Sequence, residues 1–133
     1  MDIKLNEACK IQHEAVLAKG FEHQPIATNL MLIVSELSEA LEADRHNRHA
    51  DFKKFGDTYE LEISDFAGTF PNRPPAFKTA FEVGIKDTFE DEIADAFLRL
   101  MDLCGDYGID IEKHIKMKAE YNKLRPNKHG KAY

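Results

Sequence analysis

Hydrophobic positions in this 133-residue chain recur mostly every three or four residues, a spacing typical of amphipathic helices. Gly20 is suited to end the first such segment, and Pro25 to occupy the first turn of the second. Asp110 is an N-cap candidate for the last. The pattern predicts helices over residues 2–19, 25–46, 88–104 and 111–124. We therefore expect an all-α fold of four to five helices, forming a single domain over residues 1–133.

The segment between the second and third predicted helices, residues 47–87, lacks this regular spacing. Residues 59–63 alternate and predict a short strand, whereas residues 76–83 predict a short helix. The segment is rich in aromatic residues, namely Phe52, Phe55, Tyr59, Phe66, Phe70, Phe77 and Phe81. Two interpretations are open: the rings pack a long loop onto the helices, or one or two of them stack on a substrate base.

Two acidic pairs carry the clearest chemical signal. Glu36 and Glu39 lie on the second predicted helix, and Glu92 and Asp95 on the third, each pair three residues apart. Because a helix turns roughly 100° per residue, both pairs lie at about the same offset from the apolar stripe of their helix. Half-buried carboxylates repel one another unless a cation compensates them, so the pairs predict a divalent-cation site. Alternatively they are ordinary acidic surface, since the chain has 24 Asp and Glu residues.

The net charge, the hydrophobic segments and the cysteines limit which classes of protein this chain can belong to. The net charge of -6 argues against binding a nucleic-acid polymer through a basic face. No segment has the length and hydrophobicity of a membrane span, and the N-terminus lacks the apolar core of a signal peptide. Cys9 and Cys104 lie in separate helical patterns and are expected to be reduced and buried. We expect a cytoplasmic protein that does not associate with membranes.

The last predicted helix becomes basic toward its end. Lys118, Asn122 and Arg125 fall on one line at helical spacing, in continuation of an apolar line. Long basic side chains in this position are suited to reach an anion such as phosphate. Alternatively they form a solvated basic turn that the helix dipole favours.

In an all-helical chain, the order ExxE then ExxD resembles the all-α nucleoside triphosphate pyrophosphohydrolases, and in particular their MazG-like branch. Residues 35–43 resemble the first motif of that branch and residues 91–96 the second. Residues 116–126, followed by His-Gly-Lys at 129–131, resemble the C-terminal sequence usual in that branch. The chain departs from the family in the long connection between the acidic pairs, which contains the aromatic segment.

This resemblance implies an activity and assigns residues to it. Members hydrolyse a nucleoside triphosphate, ribo or deoxy, to the monophosphate and pyrophosphate with Mg²⁺, for which Mn²⁺ is a possible substitute. The implied metal ligands are Glu36, Glu39, Glu92 and Asp95. Glu36 and Glu39 would be catalytic, with Glu39 also orienting the attacking water. The implied substrate contacts are Lys118, Asn122, Arg125, His129 and Lys131. The resemblance also implies a homodimer or homotetramer.

Two other classes of protein also have acidic residues on helices: di-iron proteins and non-catalytic helical proteins. A helical di-iron protein needs two ExxH motifs, and no histidine here has a glutamate three residues before it. A non-catalytic helical protein that oligomerises or binds a partner, with acidic pairs on its surface, stays an open alternative.

Overall fold

A computed structural model of the chain describes residues 4–64 and 73–130. Within these ranges the protein is all-helical, without strands. The elements are α1 (Leu5–Ala18), α2 (Ile26–Arg45), α3 (Phe52–Ser64), α4 (Arg73–Gly84), α5 (Phe89–Asp106), α6 (Ile111–Lys123) and a 3-10 turn at Asn127–Gly130. None of the helices in the described ranges combines the length and hydrophobicity needed to cross a bilayer.

The predicted helices are confirmed, with ends that differ by at most three residues. Local signals explain this agreement: the Asp110 carboxylate, for example, accepts a hydrogen bond of 3.2 Å from the backbone N–H of Lys113 and so caps α6. The short helix predicted over residues 76–83 is confirmed as part of α4. Residues 1–3, where the first helix was expected to begin, lie outside the described residues.

The strand predicted over residues 59–63 is wrong, because these residues belong to α3. Their alternation is compatible with a helix that buries only one side: Phe55 and Tyr59, four residues apart, stack with ring centroids 6.2 Å apart. The expected long loop is therefore largely a pair of helices, α3 and α4. The expectation of four to five helices becomes six in the described ranges.

The chain divides into two compact units, Leu30–Phe97 and the combination of Met1–Asn29 with Leu98–Tyr133. In the second of these, α1 packs with α6, and Asn6 contacts Asp110 through a side-chain hydrogen bond of 2.7 Å. His13 is hydrogen-bonded to Asp102 at 2.8 Å. Cys9 and Cys104 are free thiols and are buried, as predicted.

In the unit Leu30–Phe97, α3 and α4 pack against each other, and the end of α4 comes close to the backbone at the start of α3. The backbone N–H of Asp51 donates to the carbonyl of Gly84 at 2.8 Å. A Cβ atom at Gly84 would lie 2.8 Å from both the Asp51 carbonyl oxygen and the Phe55 nitrogen, which are backbone atoms that do not yield easily. Gly84 therefore permits the close approach that joins the two helices.

We expect Gly84→Ala to lower the free energy of unfolding by about 1–3 kcal/mol, the usual cost of overpacking. The matched control is Gly56→Ala on α3, where an added Cβ would meet nothing within 4 Å. That variant should be neutral or more stable by up to about 1 kcal/mol, since alanine favours helix over glycine. Urea denaturation measures both, and equal stabilities for the two variants would contradict the close approach at Gly84.

Candidate functional site

The first acidic pair lies on α2, and its two members differ in solvent exposure. Glu36 is only 8% exposed and shares the buried face of α2 with Ile33, Ala40 and Ala43. Glu39, one turn further on, is exposed and accepts a long hydrogen bond of 3.4 Å from the Ser35 hydroxyl. One carboxylate is thus held by packing, while the other can adjust to a ligand.

The second pair lies on α5 and is divided in the same way. Glu92 is 6% exposed, on the same helix face as the buried residues Thr88 and Ala96. Asp95 is exposed. All four carboxylates were expected to be half-buried. Instead each has one buried and one exposed member, because residues three apart differ by about 60° around the helix axis.

The start of α5 determines where Glu92 points. The Thr88 hydroxyl accepts a hydrogen bond of 3.3 Å from the backbone N–H of Asp91, as in an N-cap. The Asp91 carboxylate in turn accepts one of 2.9 Å from the N–H of Asp87. The first helical bond then runs from the N–H of Glu92 to the Thr88 carbonyl. Glu92 therefore projects from the first, well-anchored turn of α5.

Tertiary packing brings three of the four predicted ligands together. One carboxylate oxygen each from Glu36, Glu39 and Glu92 lies within 4.8 Å of the other two. We call these three residues the acidic triad. Asp95 lines the same cleft but belongs to no such group in the described part of the chain.

A second acidic group shares Glu92. Carboxylate oxygens of Asp87, Asp91 and Glu92 also lie within 4.8 Å of one another. The charge of this group is already partly compensated, because Lys86 forms an ion pair of 2.9 Å with Asp87 and a backbone N–H binds Asp91. Asp87 and Asp91 were not predicted as site residues. Their position just before Glu92 was the signal available in the sequence.

The acidic triad opens into a cleft of about 490 Å³. Seven of its lining residues are acidic and two are lysines, Lys78 and Lys86; Phe77 and Phe81 complete the lining. An adjoining cleft of about 470 Å³ contains Arg48 together with Glu39 and Glu92. These cations were missed because they lie in the segment between the acidic helices, where the periodicity gives no position relative to the site.

Glu92 occupies an electrostatically unfavourable position. Burial raises the pKa of its carboxyl from 4.5 to about 7, with further contributions from Glu39, Asp91, Glu36 and Asp95 in that order. Among the described residues, no hydrogen-bond donor and no basic side chain contacts its carboxylate. Within the described part of the chain, this carboxylate therefore meets repulsion from its neighbours and no direct compensation.

The predicted substrate-binding residues belong to the other compact unit. Lys118 and Asn122 are exposed on α6, and the Lys118 ammonium lies 5.0 Å from the centre of the Tyr121 ring. Arg125 follows α6 and is partly buried. His129 lies in the 3-10 turn, and Lys131 lies outside the described residues. Their role in substrate binding stays a prediction.

Comparison of the chain with known protein families, curated proteins and solved structures finds no match.

In metal-free protein, Glu92→Gln should raise the free energy of unfolding at pH 8. Between about pH 4.5 and 7 the folded protein binds a proton at Glu92 that the unfolded chain does not, so its stability falls as pH rises through this window. The gain at pH 8 should be about 3 kcal/mol, and should disappear below about pH 4.5.

Chemical denaturation in EDTA at several pH values measures this effect. Glu60→Gln, at an exposed position on α3, serves as the matched control and should leave the stability unchanged. A wild-type protein as stable as Glu92→Gln at pH 8 would show that the Glu92 carboxylate is compensated within the fold.

Proposed function

We propose that the protein is a Mg²⁺-dependent nucleoside triphosphate pyrophosphohydrolase that uses the acidic triad. The observation that carries the proposal is Glu92, a residue only 6% exposed whose carboxylate borders the clefts, has two other carboxylates beside it and has no donor or basic partner among the described residues. A group in this state is stabilised by a cation. Acidic groups without a metal are common on protein surfaces, so the burial of Glu92 and Glu36 is what gives the argument its weight.

The donor set suits a hard divalent cation. Mg²⁺ prefers oxygen ligands at 2.0–2.1 Å in octahedral geometry, which places ligand oxygens roughly 3–4 Å apart. The triad oxygens lie within 4.8 Å of one another, so modest side-chain adjustments would bring them to this spacing. Glu36, Glu39 and Glu92 would hold the ion, and Asp95 would assist from the cleft wall.

The chemistry follows from this placement. Mg²⁺, when bound, neutralises charge that develops on the phosphate oxygens. Glu39 is exposed and adjustable, and it accepts a proton from the attacking water or orients it by a hydrogen bond. Lys86 and Arg48 lie in the clefts beside the triad and supply positive charge for phosphate oxygens. The bond between the α-phosphorus and its bridging oxygen breaks, which gives the monophosphate and pyrophosphate.

The alternative is a non-catalytic helical protein that oligomerises or binds a partner. It predicts that Mg²⁺ or Mn²⁺ does not protect the protein against heat, whereas a ligand that binds only the folded state raises the melting temperature. The position of Glu92 favours the metal-binding interpretation, because this residue is only 6% exposed and still lines both clefts, beside the carboxylates of Glu36 and Glu39.

We expect wild-type protein with Mg²⁺ to release pyrophosphate from at least one member of a panel of ribo- and deoxynucleoside triphosphates. Glu39→Gln should lower the rate by about 100-fold or more, the size typical of a lost general base. Glu60→Gln should retain the wild-type rate. Chromatography of the nucleotide products together with a pyrophosphate assay measures the reaction, with EDTA as the metal-free control.

Three results would count against this proposal in different ways. Formation of the diphosphate and inorganic phosphate would contradict the cleaved bond. Metal binding without turnover of any nucleotide would direct the search to another phosphate compound. Absence of both would return the acidic pairs to ordinary surface charge.

We also propose a homodimer or homotetramer, on the evidence of the apolar surface of α2. Leu30, Val34, Leu37 and Leu41 are 47–52% exposed, although they follow the alternating spacing of four and three residues that packs one helix on another. A second copy of the chain is the occupant that the resemblance implies for such a surface.

Sedimentation at micromolar concentration should therefore show a dimer or tetramer. Leu37→Glu should shift the protein toward the monomer, because it places a charge in the middle of the apolar stripe. Phe52→Glu, at a 74% exposed position on α3, is the control for an added surface charge and should not change the mass. A wild-type monomer would contradict the proposed assembly.

A further inference from the structure

The helix pair α3–α4 builds an aromatic cluster next to the acidic triad. The rings of Phe55 and Phe77 meet edge to face with centroids 5.5 Å apart. Phe77 and Phe81 lie nearly parallel, at 6.1 Å and an interplanar angle of 24°. Phe55 also stacks on Tyr59. The rings support one another, so their orientation depends on the packing of the helix pair and not on a single side-chain rotamer.

One ring of this cluster remains open to solvent. Phe77 is 53% exposed, although Phe55 and Phe81 both contact it. It lines the cleft of about 490 Å³ that also contains Glu36, Glu39 and Glu92. An aromatic side chain that is braced by its neighbours and still presents surface to a cleft loses little conformational freedom when a flat ligand stacks on it.

The charge of the cleft restricts which ligands can use that ring. Seven carboxyl groups and two lysines give the lining a strongly negative formal charge. A free anion is repelled, whereas an anion that chelates a divalent cation is attracted to the acidic triad. The cleft volume lies within the range of sites for small molecules. The lining therefore suits a ligand with a flat apolar ring at one end and a metal-chelating group at the other.

We propose that α4 forms the nucleobase subsite of this cleft, with the face of Phe77 stacked on the base and the phosphates directed to the acidic triad. The inference rests on the proposed nucleotide substrate and assigns its base to a segment that lies between the two acidic helices. Purines should bind more tightly than pyrimidines, because the larger ring system covers more of the phenyl face. Lys78, one residue along α4, lines the same cleft and supplies a cation near the ligand.

The test compares ligands with and without a base on the full-length protein. We expect Phe77→Ala to weaken binding of a non-hydrolysable α,β-methylene purine nucleoside triphosphate with Mg²⁺ by about 5- to 100-fold, the range seen when an aromatic stacking partner is removed. Binding of inorganic tripolyphosphate with Mg²⁺, which has no base, should change less than about twofold. Phe77→Tyr should restore nucleotide affinity, and Phe52→Ala, outside the cleft lining, should behave as wild type.

Adenosine in EDTA separates this subsite from the metal site. Saturation-transfer NMR should detect its binding to wild type and to Phe77→Tyr, and not to Phe77→Ala. If Mn²⁺ fails to bind and no nucleotide is hydrolysed, but adenosine binding still requires Phe77, the proposed reaction fails and the base subsite stands. If hydrolysis is intact and Phe77→Ala binds nucleotide like wild type, the base subsite is overturned. Equal weakening of nucleotide and tripolyphosphate overturns it as well, since the ring would then act on the whole cleft.

Discussion

The buried carboxylate of Glu92 imposes the main constraint on the unit Leu30–Phe97. Removing an ionised carboxylate from water costs several kcal/mol, and the neighbouring carboxylates of Glu36 and Glu39 add repulsion. The folded chain can reduce this cost in two ways: Glu92 takes up a proton, or a cation enters. Both responses make the site sensitive to its surroundings, which is a property of functional carboxylates more than of structural ones.

The capping arrangement at the start of α5 makes this constraint effective. Thr88 and Asp91 anchor the first turn through side-chain hydrogen bonds, so the backbone from which Glu92 projects is fixed at the helix start. On α2, by contrast, Glu39 is exposed and free to change rotamer. The site therefore combines a fixed carboxylate with an adjustable one. Such a combination is compatible with the metal site proposed above, because an adjustable carboxylate can adapt to an ion beside a fixed one.

The segment between the acidic helices bears on both interpretations that the sequence left open. Phe55 and Tyr59 stack within the helix pair α3–α4, which supports the packing role. Phe77 contacts the same cluster and also lines the cleft, so it is the ring to which the base-stacking proposal applies. The close approach at Gly84 matters to the site for the same reason, since it positions α4 beside the triad.

The sequence by itself determined α1, α2, α5 and α6, the cap of α6 and the helical spacing of the four carboxylates, because these depend on interactions between residues a few positions apart. It misassigned residues 59–63, where the helical contacts of Phe55 and Tyr59 outweighed the alternating pattern. Only the tertiary structure decided that Glu36 and Glu92 are buried, that Asp87 and Asp91 join the site, and that Phe77, Lys86 and Arg48 lie beside it. These properties depend on which helix faces meet, and that is set by packing between residues distant along the chain, which no local periodicity encodes.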